Sequence, residues 1–293
     1  MAFIDLYGRA NVGVNWQESI IPEILNPRDI YATSSEFGVT ADLQLDRSRT
    51  GKFRYTGNFN VGQDGGVTGG VVTGAEFSTN DGYIAAYISE FSATVDELAA
   101  IGGSEDLARK WEMNLLSGND ILLGSQDGGS VKARMMGGND FVEIWSGNEN
   151  FANGNQGNDE IVLNGGRGRY LGGSDNDSIE VYGAEAGTQV NGNNGRDFIT
   201  GYVDGVIYRG GADDDILAVS AGTIWGDKGS DTFQAIAGEG VAIVQDYTAG
   251  EDLIKGIAGG SFTLTEQGLS YGVGGDQMLL LAGITDASQV TLI

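Results

Sequence analysis

The sequence predicts an all-β protein. Its centre is a right-handed parallel β-roll solenoid, preceded by a small antiparallel β domain with a short helical cap and closed by a carboxy-terminal β cap. Two observations carry the roll. A short phrase recurs between Ser117 and Phe233: Gly118-Asn119-Asp120, Gly138-Asn139-Asp140, Gly157-Asn158-Asp159, Asp175-Asn176-Asp177, Gly195-Arg196-Asp197, Asp213-Asp214-Asp215 and Gly229-Ser230-Asp231. The closing aspartates fall at 120, 140, 159, 177, 197, 215 and 231, so the steps are 20, 19, 18, 20, 18 and 16 residues. Such a period is too short for a β-α-β unit and too regular for loops, and it suits stacked coils. The second observation is phase. An apolar residue (Val142, Ile161, Ile179, Ile199, Leu217 or Phe233) follows each of the last six aspartates two residues on. Glycine is 50 of 293 residues, which a disordered linker also tolerates, but disorder does not hold apolar residues at a fixed offset.

The residue types point to a cation. The fullest copies run Gly172 to Ile179, Gly192 to Ile199 and Gly210 to Leu217. Glycine and asparagine accept positive φ, so the backbone coils tightly and turns carbonyls inward. The candidate metal residues are Asp120, Asp140, Asp159, Asp175, Asp177, Asp197, Asp213, Asp215 and Asp231. Gly157, Gly172, Gly173, Gly192, Gly195, Gly210, Gly211 and Gly229 belong to the same turns. Carboxylate and carbonyl oxygens suit a hard cation such as calcium.

These turns resemble the hemolysin-type (RTX) calcium-binding repeat, Gly-Gly-x-Gly-x-Asp followed by x-apolar-x, over about 115 residues. The sequence departs from that pattern where Met135 and Met136 precede Gly137-Gly138, and where Leu115-Leu116 precedes the first turn. A second set of turns, at Gly129, Asn150, Gly168, Gly187, Gly205 and Gly222, lacks the aspartate series. The family loads both edges; this chain is expected to carry several calcium ions in one row along one edge. Seven turns leave six gaps, the upper bound on that row. The resemblance also implies export through a type I channel, guided by an uncleaved carboxy-terminal signal, and hence a secreted or cell-surface location.

Composition narrows the function. The net charge is −25, from 41 acidic and 16 basic residues. That disfavours nucleic acid and anionic membranes and favours cations. Six calcium ions would add twelve charges and still leave −13. Carboxylates repeated at the coil spacing of about 4.8 Å repel one another, so the metal is expected to be part of the fold. There are no cysteines and no histidines, which removes disulfides, thiol nucleophiles, His-Glu-x-x-His sites and Ser-His-Asp sets. The amino terminus has no basic region or apolar core of a secretory signal, and no run reaches the ~20 apolar residues of a membrane helix.

In chain order, residues 1–91 form the amino-terminal β domain. Apolar stretches at Ala2–Leu6, Val12–Trp16, Ile20–Leu25 and Val39–Leu45, with Pro22 and Pro27, read as strands and turns. They either cap the next domain or add a strand to a neighbouring copy. Lys52–Asn60, Val67–Phe77 and Tyr83–Phe91 alternate around the turn signal Gln63-Asp64-Gly65-Gly66 and predict an antiparallel set. Residues 92–116 form a helical linker: Thr94-Val95-Asp96-Glu97 is a capping box, and Leu107, Trp111 and Leu115 make one stripe on a helix over 105–114. Residues 117–236 are the roll. Residues 237–293 are the closing β cap and export region, in which Val241–Tyr247 and Gly250–Ile254 resemble the strand pair that ends RTX rolls. Asp246 and Asp252 are either further ligands or turn residues.

A non-enzymatic, calcium-dependent structural protein of an extracellular or cell-surface layer, sheath or filament is the leading expectation. It self-assembles into homo-oligomers or polymers. A calcium-dependent adhesin or glycan-binding module with its site in residues 1–91, or a virion structural protein, is the alternative.

Overall fold

The structure is a computed structural model. It describes residues 3–6, 14–15, 29–32, 36–41, 51–61, 63, 67–79, 84–94, 96 and 116–293 except 125–129. The chain is all-β, with a parallel β-solenoid of about seven turns. Among the described residues the one helical element with a full turn is the 3-10 turn Ala287–Gln289. The capping box at 94–97 and the predicted helix over 105–114 lie outside the described residues, Thr94 and Asp96 apart. The chain divides into two compact units, Met1–Phe141 and Val142–Ile293.

The first unit carries β1 (Phe3–Leu6), β2 (Val14–Asn15), β3 (Asp29–Ala32), β4 (Glu36–Ala41), β5 (Gly51–Val61), β6 (Val67–Thr79), β7 (Ile84–Thr94), β8 (Ile121–Leu123) and β9 (Val131–Arg134). Strands β3 to β7 pair as successive antiparallel neighbours, and β5, β6 and β7 are the three strands that alternation predicted. β1 runs between β7, antiparallel, and β8, parallel; β2 pairs in parallel with β9. Of the stretches considered for strand addition to a neighbouring copy, β1, β2 and β4 thus pair inside their own chain, and Ile20–Leu25 lies outside the described residues. The physical reason is that a first coil has open backbone edges, and β1 and β2 fill their hydrogen-bonding positions.

Strand β10 (Phe141–Ile144) spans the division. Beyond it the chain alternates between β11 (Asn150–Gln156), β12 (Glu160–Leu163), β13 (Gly168–Ser174), β14 (Ser178–Val181), β15 (Gln189–Asn194), β16 (Phe198–Gly201), β17 (Ile207–Ala212), β18 (Ile216–Val219), β19 (Gly222–Lys228), β20 (Thr232–Gln234), β21 (Ala242–Val244) and β22 (Leu253–Lys255). Odd-numbered strands stack into one parallel ladder and even-numbered strands into a second. Each coil contributes one strand to each.

Period-two alternation sets what points inward. On the even ladder Ile161 and Leu163, Ile179 and Val181, and Leu217 and Val219 are wholly buried. On the odd ladder Tyr170, Val190, Tyr208 and Ile224 face them from one row. Each buried aliphatic side chain contributes roughly 1.5–3 kcal/mol. Gly201 interrupts the even row, and the Tyr208 ring takes its place: a Cβ there would stand 2.4 Å from the phenol oxygen. The second inward row of the odd ladder is glycine, and that row positions the site described below.

Past β22 come β23 (Ser261–Leu264), β24 (Gly268–Val273), β25 (Asp276–Ala282) and β26 (Thr291–Leu292). β23, β24 and β25 are antiparallel neighbours, and β25 pairs in parallel with β21. β26 pairs with β22. The two predicted closing strands are present as β21 and β22, which extend the odd and even ladders respectively.

Candidate metal centre

The turn from each odd strand into the next even strand holds the recurring aspartate. All seven closing aspartates, 120, 140, 159, 177, 197, 215 and 231, are buried. In the second unit Asp177, Asp197, Asp215 and Asp231 each reach back one coil. Asp177 Oδ1 accepts the backbone N–H of Asp159 at 2.8 Å, and Asp197 accepts that of Asp177 at 2.8 Å. Asp215 accepts from Asp197 at 2.8 Å and Asp231 from Asp215 at 2.9 Å. Within the first unit Asp140 does the same for Asp120 at 2.8 Å. The residue before the aspartate reaches the other way. Asn158 Oδ1 accepts the N–H of Asn176 at 2.9 Å, Asn176 that of Arg196 at 2.8 Å, and Asp214 that of Ser230 at 2.9 Å. The Asn-Asp phrase therefore stitches successive coils in both directions. These N–H groups lie in turns, outside the strand ladders, where a buried donor needs a partner.

One carboxylate oxygen is thus accounted for. The other, Oδ2, is buried without a hydrogen-bond partner in Asp177, Asp197 and Asp215. Among the described residues no lysine or arginine pairs with these three. Each Oδ2 rests against a glycine five residues earlier. A Cβ added at Gly172 would stand 2.2 Å from Asp177 Oδ2, at Gly192 1.9 Å from Asp197 Oδ2, and at Gly210 2.2 Å from Asp215 Oδ2. The same points lie 2.8, 2.7 and 2.8 Å from the carbonyl oxygens of Gly192, Gly210 and Gly226 on the next coil. Carboxylate and carbonyl oxygens thus converge between adjacent coils.

Burial, first, pushes the Asp177 carboxyl up from 3.8 to about 8, opposed by the Asp159 N–H and reinforced by Asp197, Asp159 and Asp175. Asp215 is pushed up to about 8, and Asp197 and Asp231 to about 6, again chiefly by burial. These carboxyls hold protons more tightly than ordinary aspartates, and a cation is the other way to settle their charge. Among the described residues no three carboxylates meet at one point. An ion would therefore be held by one or two carboxylates of the row, with glycine carbonyls and water. That all-oxygen set fits calcium.

The other predicted residues divide by role. Gly157, Gly173, Gly195, Gly211 and Gly229 all have positive φ. A Cβ at Gly195 would be 1.9 Å from Asp175 O, and one at Gly229 2.0 Å from Asp213 O, so these glycines let coils touch. Asp175 and Asp213 are exposed in the left-handed region, both at φ 78°; Asp175 Oδ2 accepts the Gly157 N–H at 3.2 Å. Asp252 proves to be the next rung: its Oδ1 accepts the Asp231 N–H at 2.9 Å and its Oδ2 the Thr248 N–H at 2.7 Å. Asp246 lies elsewhere, with its two oxygens on the N–H groups of Gly226 and Asp227. Gly154 and Gly226 are missing from the predicted set. They back Asp159 and Asp231 as Gly172 backs Asp177, and the signal for them was glycine at five before each of these aspartates. Met135 stands at that offset before Asp140.

The opposite edge has no such row among the described residues. Asp204 and Glu185 are exposed, and Asp204 accepts only from the neighbouring Gly205 N–H. Asp177→Ala and Asp197→Ala each leave a buried N–H without its acceptor and are expected to cost about 1–3 kcal/mol in thermal unfolding with calcium present. Asp204→Ala is expected to leave the melting temperature and calcium affinity unchanged. No family model, curated protein or solved structure matches the chain.

Proposed function

We propose that the chain is a calcium-dependent structural protein of RTX type, without catalytic activity. Its aspartate row takes up several calcium ions between coils. The observation that carries this reading is the stack of buried carboxylate oxygens at Asp177, Asp197 and Asp215, each without a hydrogen-bond partner and each beside a glycine carbonyl of the next coil. A net charge of −25 adds the need for counter-charge. In this reading the chain leaves the cell through a type I channel in a metal-poor, unfolded state. It folds where calcium is abundant, with residues 237–293 as cap and export region, and assembles with further copies into an extracellular layer, sheath or filament.

Calorimetric titration of the full chain tests the metal. Calcium is expected to bind at more than one site, and magnesium, which requires tighter octahedral geometry, is not expected to replace it. An isotherm flat for calcium, together with a circular dichroism spectrum indifferent to it, contradicts the reading. Light scattering in the same buffers tests assembly: growth of the particle with calcium supports the structural role, and a monomer throughout favours the adhesin.

A further inference from the structure

We infer that the outer face of the odd-numbered ladder binds a neutral, linear polysaccharide. An open trough of about 790 Å3 runs across β11, β13, β15, β17 and β19. Its walls hold two similar triads of carboxamides: Asn153, Asn155 and Gln156 on β11, and Asn191, Asn193 and Asn194 on β15. The likeness extends to conformation. Asn155 and Asn193 both sit in the left-handed region, at φ 73° and 79°. In both triads the first asparagine's Oδ1 accepts the N–H two residues on, at 3.2 Å from Asn155 and 2.9 Å from Asn193. The intervening strand β13 is smooth at this level. Gly173 pairs with Asn155 on one side and with Asn193 on the other, and Ser174 lies beside it.

The two triads are two coils apart, about 10 Å at the usual strand spacing. Two like sites in one open trough suit a ligand that repeats. The chemistry selects its class. A carboxamide donates and accepts at once, which matches hydroxyls that do the same. Among the described residues the side-chain amides of Asn193, Asn194 and Gln156 have no protein hydrogen bond, so their capacity is open to a ligand. The trough has no large apolar anchor of the kind a peptide uses. The charge of −25 disfavours phosphate and uronate chains. An extended glucan or mannan, which presents equivalent hydroxyls at every second sugar, meets these conditions. This inference does not rest on the calcium row, which lies at the turns leading into the even strands.

The test uses the full chain in calcium buffer, with cellohexaose and mannohexaose as probes and a hexamer of galacturonate as anionic control, followed by calorimetry and saturation-transfer NMR. At least one neutral probe is expected to bind and the galacturonate hexamer is not. In the double variant Gln156→Ala/Asn194→Ala affinity is expected to fall roughly tenfold or more. These two side chains carry no internal bond, so the melting temperature and the calcium isotherm are expected to stay as in the parent. Ala212→Trp, which fills the trough from β17, is expected to abolish binding. Failure of both neutral probes to bind, preference for galacturonate, or undiminished binding by the double variant overturns the inference, whatever calcium does.

Discussion

Replacing Gly192 by alanine is expected to destabilise the roll by about 3–5 kcal/mol, the range reached when overpacking and a broken buried hydrogen bond combine. Backbone conformation is not the obstacle, because Gly192 lies outside the positive-φ set. Space is. The new methyl would stand 1.9 Å from Asp197 Oδ2 and 2.7 Å from Gly210 O. To make room the carboxylate has to leave the Asp177 N–H that it now holds at 2.8 Å. Two comparisons isolate the cause. Gly250 has φ 86°, and a methyl added there would meet nothing within 4 Å, so Gly250→Ala costs only backbone strain, about 1 kcal/mol. In an Asp197→Ala background the carboxylate is gone, and Gly192→Ala should cost clearly less than in the parent. Additive losses in that double-mutant cycle would mean that the glycine is not there for the carboxylate.

Chelation is expected to have the other large effect, the loss of much of the β signal in circular dichroism, and its size should depend on pH. In the chain alone, Asp177 and Asp215 titrate at about 8 and Asp197 and Asp231 at about 6, all above the ordinary 3.8. Between these values the folded state keeps protons that the unfolded state has released. The resulting stability is fully present below pH 3.8 and is lost as pH rises through 6 and then 8. In chelator the melting temperature is therefore expected to fall from pH 4 to pH 8. With calcium in excess the ion displaces the protons, and the same scan should be flat or rise. Thermal melts at matched ionic strength check both slopes.

Much of the even ladder was legible in the sequence. Ile161, Ile179, Ile199 and Leu217 stand two residues after an aspartate, and a side chain at that offset in a strand faces one side in every coil. The aspartate turns were legible for the same reason. What the aspartates do was not. Asp177 accepts from Asp159, 18 residues away, and Asp197 from Asp177, 20 residues away. Neither bond exists until the coils are stacked in register. Gly154 and Gly226 were hidden because their significance lies in an offset to a later aspartate, not in a glycine pair. The partners of β1 and β2 were out of reach: Phe3 pairs with Ile121 and Val14 with Val131, and nothing local in those short strands encodes such contacts. Strand β3, Asp29–Ala32, is four residues beginning with an acid, too short to display a pattern.

Calcium binding by the charge of the row is separable from the stitching of coils through its hydrogen bonds. Asparagine separates the two, since it keeps Oδ1 as acceptor and removes the carboxylate. The measurement is the melting temperature of the triple variant Asp177→Asn/Asp197→Asn/Asp215→Asn, with calcium and with chelator. In chelator the variant is predicted to melt at or above the parent, because three desolvated carboxyls are gone. On adding calcium the parent is predicted to gain stability, and the variant to gain the smaller part of that rise. A variant that responds to calcium as fully as the parent would mean that the carboxylates of the row do not bind the ion.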